Sequence, residues 1–160
     1  MTSTLRQAER HDVPGIQRVR HAVKENRLNS GVITDADVLA AIERTGRGWV
    51  MEVEAQIVGF AVGNGQTGNV WALFVDPAHE GQGHGRRLHD TMVGWMWSCG
   101  LSLLWLSTEP GTRAERFYAR AGWQTCGLLP NGELRFEQRV PASSRGGDAS
   151  MPPQPTSPLQ

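Results

Sequence analysis

Three glycines at positions 81, 83 and 85 stand between an apolar strand and an amphipathic helix in the segment VWALFVDPAHEGQGHGRRL, residues 70–88. Glycine has no Cβ, so backbone N–H groups in such a turn can close on a ligand. A helix starting near His84 aims its unpaired N–H groups and the positive end of its dipole at the same point. That chemistry suits an anion, and a pyrophosphate is its natural guest. A glycine-rich turn without a ligand is the plain alternative. Two familiar phosphate motifs fit less well. The P-loop needs Lys-Ser/Thr after its last glycine, whereas Arg86 and Arg87 follow Gly85. The dinucleotide fingerprint needs G-x-G-x-x-G, and the spacing here is G-x-G-x-G.

The elements that would carry this turn can be read on both sides of it. Val70–Val75 is apolar on both faces, with Val70, Ala72 and Phe74 on one and Trp71, Leu73 and Val75 on the other. Such a strand is expected at the centre of a sheet, where an open α/β sheet has its ligand crevice. After the turn, Leu88, Met92, Trp95 and Met96 form a core-facing helix stripe. Upstream, residues 4–8 predict a first strand. Asp12 predicts the cap of a helix with Pro14 in its first turn and Ile16, Val19 and Val23 on one face. Thr34 opens a second helix, with Gly46 as its stop. Residues 49–53 and 57–62 make a hairpin around Glu54-Ala55-Gln56, and the loop 64–68 leads into Val70–Val75. Residues 101–107 follow a helical crossover and are expected to pair parallel with Val70–Val75. Thr112-x-x-Glu115 reads as a capping box for a short helix ending at Gly122. Residues 123–127 and 133–140 form a last hairpin around Pro130-Asn131-Gly132. The order is β-α-α-β-β-β-α-β-α-β-β, an α/β (α+β) pattern with a mixed, mainly antiparallel sheet.

Composition narrows the function classes. A chain of 160 residues predicts one domain with a substantial core. Lys plus Arg and Asp plus Glu are both 16, so the formal net charge is zero. That argues against general affinity for nucleic acid or a membrane surface, leaving only a local basic patch at Arg86 and Arg87. No stretch approaches the ~18 apolar residues of a membrane span, and no apolar leader opens the chain. A cytoplasmic protein is expected. Cys99 and Cys126 lack C-x-x-C spacing and read as small buried apolar side chains. His79, His84 and His89 form no metal-ligand spacing, so no metal is expected. Five of the nine prolines fall from Pro141 onward. Residues 141–160 therefore read as a disordered tail behind a domain of residues 1–140.

The turn resembles the acyl-CoA N-acyltransferases of the GNAT superfamily, in which a V-x-P strand end precedes R/Q-x-x-G-x-G/A and a helix. Here these are Val75-Asp76-Pro77, then Gly83 and Gly85, with Glu80 where the family usually has Arg or Gln. RFYARAGW, residues 116–123, resembles the family's F-Y-x-x-x-G-F segment. The resemblance extends over roughly residues 4–140 and matches the element order. It implies acetyl-CoA as acyl donor. It implies that Gly81, Gln82, Gly83, His84, Gly85 and Arg86 hold the pyrophosphate, while backbone N–H groups of Leu73, Phe74 and Val75 hold the thioester carbonyl and pantetheine arm, beside a bulged and splayed strand. Tyr118 becomes the proton donor to the leaving thiolate; an ordinary tyrosine, with a pKa near 10, is protonated at pH 7. A buried tyrosine with a satisfied hydroxyl is the alternative. Glu109 or Glu25, or a chain of waters, becomes the proton acceptor, and Glu54 reads as a solvated hairpin residue. Residues 24–33 and 128–133 would line the acceptor side, with Glu25 and Arg27 as substrate contacts. Trp71 and Trp105 are candidates for its wall, with core packing as the alternative. Gly111 stands where many family members carry Asn, which leaves that pantetheine contact to Thr112, Arg113 or the backbone.

The implied reaction is N-acetyl transfer from acetyl-CoA to a primary amine of a small polar molecule, amino acid or peptide. Direct attack is expected, because no Cys or Ser sits in a recognisable nucleophile setting. The alternative is a catalytically degenerate GNAT-like module that binds acyl-CoA or a partner, motivated by Glu80 and Gly111. Homodimers are common in the family, though no feature of this sequence demands one.

Overall fold

The computed structural model describes residues 2–23 and 33–141. Glu25, Arg27 and the tail from residue 142 onward lie outside the described residues. β1 (Ser3–Gln7) leads through a 3-10 turn, Arg10–Asp12, into α1 (Val13–Ala22), and α2 (Asp35–Glu43) follows. β2 (Gly46–Val53), β3 (Gln56–Asn64) and β4 (Val70–Val75) form an antiparallel meander with β1 at its outer edge. α3 (His84–Ser98), β5 (Leu103–Thr108), α4 (Arg113–Arg120), β6 (Gln124–Leu128) and β7 (Leu134–Arg139) complete the order. β5, β7 and β6 make a second antiparallel sheet in that spatial order. The expected mixed α/β architecture is observed.

Local chemistry sets the helix ends. Thr34 Oγ1 accepts from the Asp37 N–H at 3.1 Å, and the Asp37 carboxylate accepts from the Thr34 N–H at 2.8 Å, a reciprocal cap. α2 ends at Glu43, before the expected stop at Gly46. Gly46 instead opens β2, where a Cβ would lie 2.0 Å from the Gly63 carbonyl oxygen. Asp12 occupies the cap position of α1, but its carboxylate does not cap that helix. It takes two hydrogen bonds of 2.9 Å from the Arg6 guanidinium and one of 2.8 Å from the Glu9 N–H. Glu54 and Ala55 both have positive φ, 53° and 65°, as a tight two-residue hairpin turn requires.

The first sheet is buried on both faces. α1 and α2 bring Ile16, Val19, Val38 and Ile42 into one cluster with Val50, Phe60, Val62 and Ala72. On the other face the α3 stripe, Leu88, Met92 and Met96, joins Met51, Ala61 and Val70. This second cluster continues across β5 and β7 through Leu104, Leu106 and Phe136. Burying each large apolar side chain contributes about 1.5–3 kcal/mol, so the shared α3-side cluster holds β4 and β5 together without a continuous ladder between them, and α1 and α2 brace β4 from its other face.

Three expectations change. β4 is the last strand of its sheet, and Leu73, Phe74 and Val75 are only half-buried. β5 does not run as a parallel ladder beside it; the two meet at one parallel bridge, Asn69 with Trp105. Cys99 and Cys126 are exposed rather than buried.

Candidate functional site

The site is built where β4 and β5 part. At the start of β4 the Trp105 N–H donates to the Gly68 carbonyl at 2.9 Å, and beyond the Asn69–Trp105 bridge the pairing stops. The β3–β4 register slips there: Val62 faces Ala72 but Gly63 faces Val70, leaving Trp71 as the extra residue of a bulge. Past the bulge, Phe74 pairs with Phe60 and the Asp76 N–H donates to the Val58 carbonyl at 2.8 Å. Strand alternation therefore turns the N–H groups of Leu73 and Val75 away from β3 and toward the opening. The N–H of Phe74 faces β3, which leaves two of the three expected backbone donors on the open side.

The glycine turn adjoins the open end of β4. Asp76 caps the short turn Pro77–His79 by accepting from the Ala78 N–H at 3.0 Å. Gly81 and Gly83 then adopt left-handed φ values of 76° and 85°, and a Cβ on either would meet nothing within 4 Å. Backbone conformation, not crowding, calls for glycine at both positions. Gly83 caps α3, whose first N–H groups, from His84, Gly85 and Arg86, are left without intrahelical partners. Gly85 has an ordinary helical backbone, and its Cβ would make only normal contact with Val75, at 3.6 Å.

The charged and polar residues of the turn are held by neighbours. His84 is buried, its Nε2 lies 3.1 Å from Gln82 Oε1, and among the described residues its Nδ1 has no partner. Burial first, then His79 and Arg87, hold its pKa below 6.5. Arg86 pairs with Asp90 at 3.1 Å and Arg87 donates to Ser3 Oγ at 2.9 Å. Glu80 lies 3.4 Å from Arg113 and so ties the turn to the start of α4. A cavity of about 530 Å³, lined by Arg86, His89, Gly122 and Gln138 among others, includes none of the turn glycines, Leu73 or Val75. It is therefore separate from the opening.

Tyr118 lies on the inner face of α4, packed edge-on against Phe117 and Trp123 with ring centroids 5.3 and 5.6 Å away. Burial pushes its hydroxyl pKa well above that of a free phenol, so it is protonated at neutral pH. The start of α4 departs from the expected reciprocal cap. Thr112 Oγ1 accepts from the Glu115 N–H at 3.3 Å, but the Glu115 carboxylate takes the Gly111 N–H, at 2.7 Å. Gly111 has a φ of 80°, a left-handed conformation that glycine adopts without strain. The Thr112 hydroxyl donates to the Glu109 carbonyl at 2.8 Å, and Glu109 is half-buried just past β5.

Sequence reasoning passed over Glu133. It is 2% exposed. Its Oε1 accepts from Ser107 Oγ at 2.7 Å, and its Oε2 is buried with no partner among the described residues. A glutamate at the start of a strand carries no sequence signal of burial. Trp105 is half-buried beneath the Arg135 guanidinium, 4.7 Å from its ring centroid, while Trp71 packs on the α1–α2 cluster. Among the described residues, no group of three or more His, Cys, Asp or Glu could hold a metal.

Comparison with known proteins finds the same fold. Similar folds include the PaiA N-acetyltransferase of Thermoplasma acidophilum in complex with coenzyme A, at 13% identity, with a TM-score of 0.74 over 88% of this chain and 100% of that one. YncA of Salmonella typhimurium, solved with its cofactor acetyl-CoA, is 20% identical, with a TM-score of 0.75 over 89% and 96%. The ribosomal-protein-S18-alanine N-acetyltransferase of Escherichia coli is 16% identical, with a TM-score of 0.68 over 85% and 91%. No curated protein matches the sequence. At these identities the solved structures establish the fold alone. The family model is more specific: that of the acetyltransferase (GNAT) family matches residues 16–123, from the buried Ile16 of α1 to the Trp123 that packs on Tyr118, and the chain belongs to this family.

Proposed function

We propose that this protein is an N-acetyltransferase that uses acetyl-CoA and a primary amine of a small polar molecule, amino acid or peptide. The observation that carries the reading is the β4–β5 opening, with the N–H groups of Leu73 and Val75 facing it and the Gly81–Gly83 turn at its end. The turn and the first N–H groups of α3 suit the pyrophosphate of the donor. Leu73 and Val75 would polarise the thioester carbonyl, as preorganised backbone donors do for a developing oxyanion. Tyr118 would donate the proton that the departing thiolate needs. Glu109, half-buried beyond β5, would sit on the route by which a proton leaves. Relatives solved with coenzyme A or acetyl-CoA support this donor.

The test is thermal unfolding with acetyl-CoA and, as a control dinucleotide, NADH. A ligand that binds only the folded chain stabilises it by ~2.7 kcal/mol at a hundredfold excess over Kd. Stabilisation by acetyl-CoA alone, followed by coenzyme A thiol release that depends on an added amine, is the expected result. Stabilisation by NADH alone would reassign the turn. Binding of acetyl-CoA with no amine-dependent thiol release would make the chain a binding module.

A further inference from the structure

We infer that Glu133 receives the ammonium group of the acceptor and takes its proton, an assignment that rests on the transferase reading above. Ser107 and Glu133 are brought together by sheet register. Ser107 faces Arg135 across the β5–β7 pair, so residue 133 lies one diagonal step away on the same face. That face is opposite Leu104, Leu106 and Phe136, which pack with α3. It is also the face of Trp105, whose backbone makes the last bridge to β4. Ser107 is two residues further along β5, where the strands have parted. The Glu133 carboxylate is thus placed beside the opening, on the side away from α3.

An oxygen with no partner is costly when buried. Leaving a buried acceptor unsatisfied costs about 1–3 kcal/mol, and more when it is charged. Ser107 satisfies Oε1 and nothing among the described residues satisfies Oε2. A cationic N–H donor from outside would complete the carboxylate with a charge-assisted hydrogen bond. Arg135, a cation on this face, is engaged elsewhere: it donates to Glu137 at 2.9 Å and lies over Trp105. Among the described residues no cation is paired with the carboxylate.

The chemistry balances. One proton passes from the acceptor ammonium to Glu133 Oε2 and leaves a neutral amine with a free electron pair. That pair forms the new N–C bond to the acetyl carbon. The C–S bond breaks, its electrons stay on sulfur, and sulfur takes a proton from Tyr118. The nitrogen loses its second proton, which restores Tyr118, and Glu133 later releases its own proton to solvent.

Glu133→Gln keeps the shape and the Ser107 contact but removes the base. The probes are 1,4-diaminobutane, lysinamide and trialanine, each with acetyl-CoA. Unchanged coenzyme A affinity, a melting temperature no lower than that of the wild type and a fall of about a hundredfold or more in thiol release are expected, the size typical of a lost general base. The loss should shrink as pH rises toward the pKa of the amine, which then deprotonates unaided. A wild-type rate and pH profile in Glu133→Gln would overturn the assignment while leaving the transferase reading intact. Should the Gln variant fail to fold, Glu133→Asp decides: a reduced rate that recovers as pH rises toward the pKa of the amine supports the base, and a full rate, or a loss that does not vary with pH, overturns it. Should the wild type bind acetyl-CoA but turn over none of the amines, the transferase reading fails by itself. The same amines are then titrated onto the coenzyme A complex. Binding lost in Glu133→Gln supports the ammonium site; equal binding, or none, in both proteins overturns it.

Discussion

The two ends of the β4–β5 junction use the same strands for opposite purposes. At the closed end Trp105 is engaged through its backbone and its indole. The Trp105 N–H bonds to Gly68, its indole N–H bonds to Thr67 at 3.2 Å, and its carbonyl accepts from Asn69 Nδ2 at 3.4 Å. The backbones approach so closely that a Cβ on Gly68 would lie 2.5 Å from the Leu103 carbonyl oxygen. At the open end, among the described residues, the Leu73 and Val75 N–H groups, His84 Nδ1 and Glu133 Oε2 lack partners. Burial of unpaired polar groups is unfavourable, so the open end depends on the closed end and the two helix layers to hold its shape. Binding capacity lies where the ladder stops.

The largest effect should come from Tyr118→Phe, at the proposed proton donor. Turnover is expected to fall by about a hundredfold or more with the coenzyme A affinity kept, because only the proton donor is lost. A variant at full rate would remove Tyr118 from the mechanism. Gly83→Asp comes next. It puts a non-glycine residue at a φ of 85° and a negative charge in the anion turn, so the acetyl-CoA Kd should rise at least tenfold, about 1.4 kcal/mol. Isothermal titration reads this directly, and an unchanged Kd would separate the turn from the donor. Gly68→Ala tests the closed end. Its positive φ and its contact with Leu103 predict a loss of about 2–3 kcal/mol in stability, read from the denaturant midpoint. If coenzyme A affinity falls no further than folding does, the closed end acts as a support alone.

The smallest effect concerns pH. His89 Nε2 accepts from Trp123 at 3.0 Å, so its Nδ1 carries the proton and donates to Asp90 at 2.8 Å. Burial depresses its pKa below 6.5, with Asp90 opposing, and His84 is depressed likewise. Both rings protonate more readily in the unfolded chain. Stability is therefore full above about pH 6.5 and declines as pH falls toward the folded-state values. Melting temperature between pH 8 and 5 should drop, and His89→Gln should flatten part of that drop. A flat wild-type profile would refute the depression.

Much of the arrangement was legible in the chain. β4, the start of α3 at His84, the Thr34 cap and the end of α4 before Gly122 rest on local signals: apolar runs, cap residues and glycine at positive φ. The signals failed where distance decided. Asp12 looks like a helix cap, but Arg6 from β1 claims its carboxylate. Gly46 looks like a helix stop, but the backbone of β3 requires its lack of a side chain. Apolar residues on both faces of β4 predicted a central strand, yet β5 abandons it after one bridge.

Family and element order are legible in the chain alone, as are a glycine turn suited to an anion and a lone tyrosine on an amphipathic helix. These depend on short-range spacing, which a chain carries in any conformation. Three features arise in the folded chain: β4 and β5 part after Asn69, Leu73 and Val75 rather than Phe74 turn their N–H groups outward, and Glu133 is buried with one oxygen unmatched among the described residues. Each of those follows from pairing between strands far apart in the chain, and strand register is not written in the residues of either strand alone.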